Sequence, residues 1–241
     1  MIRNLIISAV ATILAASATA QSNISDGRYV LSVGDFTSLQ IANGINVEYA
    51  ANADSAGIAV YSTGQYKPGV FIFNNNSKGK LKIELSTDIA VAPMTNLPTV
   101  RVYSQFLQEA RNDGDSTLVL LSVAPTPKLK IRLIGNGKIL ADSLNITTVD
   151  ASVNTGSGTI KLSGTCTEAN LKCTGTGLID AEWLDSNKAN CTILGTGSIR
   201  CNIPDGPLKI KGSGTGKVYY RGTPSEIKSY QIGTIKAVAI Q

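Results

Sequence analysis

From residue 129 onward, apolar and polar residues alternate in short runs, and a glycine pair closes each run. Leu129-Lys130-Ile131, Leu171-Lys172-Cys173 and Leu208-Lys209-Ile210 show the pattern. A period of two puts alternate side chains on opposite faces of a strand. Gly-x-Gly occurs at Gly135, Gly156, Gly175, Gly195 and Gly214, with a half-preserved copy at Gly233-Thr234, and the steps between first glycines are 21, 19, 20, 19 and 19 residues. A β-branched residue follows four positions after the first glycine at Ile139, Ile160, Ile179, Ile199 and Val218, and Ile235, after the half-preserved copy, is read as closing the series. No run in this half repeats at helical spacing. A constant period near twenty, made of strands and turns alone, predicts a β-solenoid. The expected class is all-β, a right-handed parallel β-helix of about 20 residues per coil over residues 129–241. A meander of hairpins also spaces glycines evenly, but here corresponding residues recur once per period in the same chain direction. Stacking at about 4.8 Å per coil would give these five intervals an axial length of roughly 24 Å. Glycine is expected where the backbone turns with positive φ, or where a Cβ would strike the coil above.

Residues 21–128 are β-rich but less regular. Strands are expected within Phe36–Tyr49, Ile58–Tyr61, Val70–Phe73, Leu81–Leu85 and Val100–Tyr103, with a hairpin loop at Asn74–Gly79 and a turn at Asn112–Asp115. One helical turn is expected in Phe106–Arg111. No Pro/Gly/Ser linker separates the halves, so a continuous body is expected, its first part covering the open end of the solenoid.

Residues 1–20 read as a secretory signal peptide: Arg3, an apolar run from Leu5 to Ala16, and small residues ending at Ala20. That run is shorter than the roughly 20 residues needed to span a bilayer, so no transmembrane segment is expected. The localisation implied is export, whether to periplasm, outer cell surface or medium. Without Arg3 the chain has 21 basic and 17 acidic residues, a net charge of +4, scattered along the sequence with no basic run. Nucleic-acid binding is therefore not expected.

Four cysteines, Cys166, Cys173, Cys191 and Cys201, lie close together, and export makes two disulfides possible. Cys173–Cys191, nearly one coil apart, is the first choice. Bridges within a coil, Cys166–Cys173 and Cys191–Cys201, are alternatives, as are four buried thiols.

Phe36-Thr37-Ser38-Leu39-Gln40-Ile41-Ala42-Asn43-Gly44-Ile45-Asn46-Val47 carries a Gly-Ile-Asn tripeptide. A Leu-Lys-Ile strand at 81–83, repeated Gly-Ser/Thr-Gly turns and Tyr220-Arg221-Gly222-Thr223-Pro224 complete the set. In order and spacing these resemble the "head GIN domain" family of putative auto-transporter adhesins, over about Val33 to Thr234. The resemblance implies an exported β-helical protein with an adhesive role. The chain departs from the pattern between Tyr103 and Val123 and in its cysteines.

The absence of histidine removes Ser-His-Asp and Cys-His catalysis and most zinc or iron sites. A carboxylate pair, as in a glycosidase, would have to come from Asp142, Asp150, Asp180, Glu182 and Asp185, which form no recurring column. Gly212-Ser213-Gly214-Thr215-Gly216-Lys217-Val218 looks like a phosphate loop. It lacks the spacing, the Ser or Thr after Lys217 and the helix that such a loop opens. No catalytic residue, cofactor or metal is expected. Asn136, Ser157, Thr176, Thr196 and Thr215 should form a polar ladder at the turns. Trp183, Tyr219 and Tyr220 are the candidate surface-binding residues, although Trp183 could equally plug a corner. Asp54-Ser55-Ala56, Asp115-Ser116-Thr117 and Asp142-Ser143-Leu144 match a short O-glycosylation pattern. The expected function is a non-enzymatic adhesin or binding module, its partner a glycan or a surface or matrix protein. A structural envelope protein is the alternative, and a β-helical carbohydrate-active enzyme a third reading.

Overall fold

A computed structural model describes residues 28–62, 71–86 and 97–240. The expected signal peptide, 1–20, lies outside the described residues. The described chain runs through β1 (Arg28–Ser32), β2 (Ser38–Ile41), β3 (Asn46–Ala51), β4 (Ile58–Ser62), β5 (Phe71–Asn75), β6 (Lys80–Leu85), β7 (Thr99–Ser104), β8 (Glu109–Asn112) and β9 (Thr117–Ser122). It continues through β10 (Lys128–Ile134), β11 (Lys138–Thr155), β12 (Thr159–Gly175), β13 (Leu178–Gly195), β14 (Ser198–Asn202), β15 (Pro207–Gly214), β16 (Lys217–Arg221), β17 (Glu226–Gly233) and β18 (Lys236–Ala239). Among the described residues there is no helix, so the helical turn expected at Phe106–Arg111 is corrected: Glu109–Asn112 is a strand. Its alternation of Glu109 and Arg111 with Ala110 and Asn112 follows a strand period.

From β10 on, each coil pairs in parallel with the next, as the repeat predicts. Ile139 lies beside Ile160, Ile160 beside Ile179, Ile179 beside Ile199 and Ile199 beside Val218. All five are fully buried; the expected last member is corrected, because Val218 lies beside Ala237 and not Ile235. The glycine pairs meet both expected requirements. Gly135, Gly156, Gly175, Gly195 and Gly214 take positive φ. A Cβ on Gly137 would stand 2.4 Å from the Ser116 carbonyl oxygen and 2.5 Å from that of Gly114.

The stacking continues across residue 128. β8 pairs with β10 and β9 with β11, both parallel. The stretch that departs from the family pattern, Tyr103 to Val123, is thus largely a regular coil. Its neighbour is not the preceding coil in sequence. β2 and β3 pair with β8 and β9 on one side and with β6 and β7 on the other. The coil built from β2 and β3 is therefore interleaved between β6 with β7 on one side and β8 with β9 on the other. Leu81, Leu39, Ala110 and Ile131 form one buried column across this arrangement. Beyond β7 and β6 the pairing turns antiparallel: β4 with β7, β1 with β4, and β5 with β6 through the expected Asn74–Gly79 loop. Tyr29, Tyr61, Phe71 and Phe73 pack there, with Tyr29 and Tyr61 stacked at 5.5 Å and Tyr61 edge-on to Phe71 at 5.0 Å.

Asn112 occupies a column otherwise filled by Ile41 and Leu133. Its side-chain nitrogen donates to the Ser116 and Lys138 carbonyls at 2.6 and 3.2 Å. Buried Ser116 accepts from the Ile45 amide at 3.2 Å and donates to the Ala42 carbonyl at 3.3 Å. This network ties the turn after β8 to the Gly-Ile-Asn turn between β2 and β3. It also locks the Ser116 hydroxyl away from the expected O-linked modification.

Candidate functional site

Two long parallel sheets carry most outward side chains. The first holds β6, β2, β8, β10, the C-terminal halves of β11, β12 and β13, then β15 and β17. The second holds β7, β3, β9, the N-terminal halves of β11 to β13, then β14, β16 and β18.

The candidate surface residues Trp183, Tyr219 and Tyr220 lie on β13 and β16, in different settings. Trp183 stands at a register irregularity in β12–β13 pairing and is 56% exposed, so it does not plug a corner. The Arg221 guanidinium lies 4.5 Å from its ring centroid, within cation–π range. Tyr219 is half-buried beneath Arg200, 5.9 Å from the ring. Tyr220 turns inward and packs against the core. Trp183 therefore offers exposed aromatic surface, while Tyr219 and Tyr220 are both half-buried.

Asp180 and Glu182, the adjacent carboxylates of β13, converge on one cation. Arg200 stands 3.9 Å from Asp180 and 3.5 Å from Glu182. Both carboxylates are thus engaged by one guanidinium, as members of an outward-facing ion-pair network. No group of three or more Cys, Asp or Glu residues suited to a metal ion occurs among the described residues. The phosphate-loop lookalike belongs to the solenoid: Gly212 and Gly214 lie in β15 and Lys217 opens β16.

The cysteines face inward. Cys173 pairs with Ile193 and Cys191 with Leu171, so the first-choice pair is offset diagonally by two residues and one coil, about 8 Å between Cα atoms. That exceeds the reach of a disulfide, about 7 Å. All four are buried free thiols, and the Cys191 and Cys201 sulfurs lie 3.8 Å apart across one coil. Burial, with Glu168 adding to it, pushes the Cys166 thiol up to about 12. Cys191 is held well above the ordinary thiol value by the Cys201 contact and by burial.

The charges that look scattered in sequence are gathered on the first sheet. One outward column runs Glu109, Lys130, Asp150, Asn170, Asn190, Lys209 and Lys228. The next runs Arg111, Arg132, Ser152, Lys172, Thr192 and Lys211. Between them lies a shallow groove of about 480 Å³. Asn170 donates to Asp150 at 2.9 Å and Asn190 donates to Asn170 at 2.8 Å, an amide ladder along the groove floor. Burial pushes the Asp150 carboxyl up, but hydrogen bonds from Lys128 and Asn170 outweigh it and hold the group below its ordinary value. The signal was present in the sequence as Lys130, Lys172 and Lys211, separated by 42 and 39 residues, the first step two coils plus one outward position and the second two coils.

Open ladders of side chains and shallow grooves thus line the outward faces of a packed β-solenoid. The chain belongs to the family described as putative auto-transporter adhesin, head GIN domain, whose model matches residues 35–224. A solved putative adhesin from Bacteroides fragilis is similar at 19% identity, with a TM-score of 0.75 and coverage of 88% of this chain and 96% of its own. A putative lipid binding protein from Parabacteroides distasonis is 19% identical, with TM-score 0.68 and coverage of 89% and 96%. A putative adhesin from Parabacteroides merdae is 20% identical, with TM-score 0.62 and coverage of 89% and 95%. At these identities the structures establish the shared fold. No curated protein matches the chain.

Proposed function

We propose that this protein is an exported, non-enzymatic adhesion module that holds a partner at the cell surface or in the envelope through the outward faces of its solenoid. The observation that carries the reading is its membership of the adhesin family over residues 35–224. Stacked coils fix outward side chains in straight rows, a geometry suited to repetitive or extended partners. The interior columns are filled by side chains such as Leu39, Ile131 and Ile193, so recognition falls to the surface. The test is an array of glycans and matrix proteins probed with the exported chain, together with reducing-end assays on the same polysaccharides. Saturable binding without new reducing ends supports the proposal; polysaccharide cleavage, or an array with no binding, contradicts it.

A further inference from the structure

We propose that the outward face of the first sheet is a docking track for an acidic polysaccharide carrying one anionic group per disaccharide. This rests on the adhesive reading above and adds the chemistry of the partner. The argument begins with which charges are already spent. Arg132 pairs with Glu109 at 3.4 Å, Lys128 with Asp150 at 2.5 Å and Lys188 with Glu168 at 3.0 Å. Those pairs neutralise the middle of the face. Among the described residues no ion pair takes up Lys130, Lys172, Lys209 or Lys211.

These four lysines are not placed at random. Lys130 lies on β10, Lys172 on β12, and Lys209 and Lys211 on β15, so an unspent cation recurs on every second coil. Twice the coil rise is about 10 Å. The coils between them present neutral hydrogen-bonding groups instead, Ser152 on β11 and Asn190 and Thr192 on β13. Cations at this axial interval, stepping between two adjacent outward columns and separated by amides and hydroxyls, complement an extended chain that alternates a charged sugar with a neutral one. The lysines meet its carboxylates or sulfates, while the amides and hydroxyls meet its neutral hydroxyls. Tyr230, 57% exposed with the Lys209 ammonium 5.5 Å from its ring centroid, adds an aromatic surface at the end of the track.

A nucleic acid fits this face less well. Its charge is denser, one phosphate per about 3.4 Å of each strand in a duplex. Single strands are held by series of stacking aromatics, and the groove walls between Lys130 and Thr192 contain none.

The test is titration of the exported chain with hyaluronan, which has one carboxylate per disaccharide, beside neutral dextran and a single-stranded oligonucleotide. Hyaluronan should bind and dextran should not. Lys130→Gln and Lys172→Gln should each weaken binding about fivefold, the upper range for an exposed charge contact. Lys161→Gln, on the second sheet, should leave binding unchanged, and equal thermal melts would show that all variants fold. Three outcomes overturn the inference: equal affinity for the oligonucleotide, loss of affinity in Lys161→Gln alone, or no hyaluronan binding. In the last case, binding of a neutral glycan or matrix protein leaves the adhesive function standing, whereas no binding at all removes both.

Discussion

Gly137 shows how tightly one residue can be specified. Its Cβ position is occupied by two carbonyl oxygens of the coil beneath, and backbone cannot yield as a flexible side chain can. Gly137→Ala should therefore destabilise the fold by about 3 kcal/mol or more, read as a lowered midpoint in urea. An unchanged midpoint would mean the coils sit farther apart than described. The thiols give a second test at this scale. Because the folded pKa of Cys166 is raised to about 12 from an ordinary 9.0, its contribution to stability is full below pH 9. It is lost as pH climbs from there towards about 12. Cys166→Ser should flatten that alkaline decline in stability, measured by denaturant titration at stepped pH. Mass mapping without reduction should find four alkylatable thiols, the state in which all four cysteines lie buried; a Cys173–Cys191 bridge would contradict the register.

At the scale of elements, the parallel coils of residues 129–241 were legible because glycine spacing and β-branched positions repeat once per coil. The interleaved coil of β2 and β3 was not. Local alternation in Leu39-Gln40-Ile41 announces a strand, but nothing in it states that its neighbours are β6 and β8. That choice is made by non-local packing, Leu39 between Leu81 and Ala110. Leu39→Ala should cost about 3 kcal/mol, as for a buried leucine in a close-packed core. Hydrogen exchange gives the matching test along the axis. Amides in β12 and β13, covered by coils on both sides, should exchange slowest, and those of β17 and β18 fastest. Fast exchange in β12 would argue against a continuous stack.

For the whole molecule, the surface matters more than the core. The aromatic candidates were legible only in part: Trp183 stands exposed, whereas Tyr219 and Tyr220 are both half-buried, Tyr220 packing against the core beside Cys201. The basic face was concealed by sequence distance. Lys130, Lys172 and Lys211 become neighbours only once the chain is wound at its own period. With no histidine in the chain, no ordinary side chain changes charge between about pH 5 and 8, so polyanion binding should be flat across that range. The salt dependence of hyaluronan affinity tests the central claim most directly. If binding runs along the lysine track, affinity should fall linearly on a plot of log K against log salt concentration, and the slope should shrink in Lys130→Gln and Lys172→Gln. An affinity indifferent to salt, or a slope unchanged in both variants, would contradict the account.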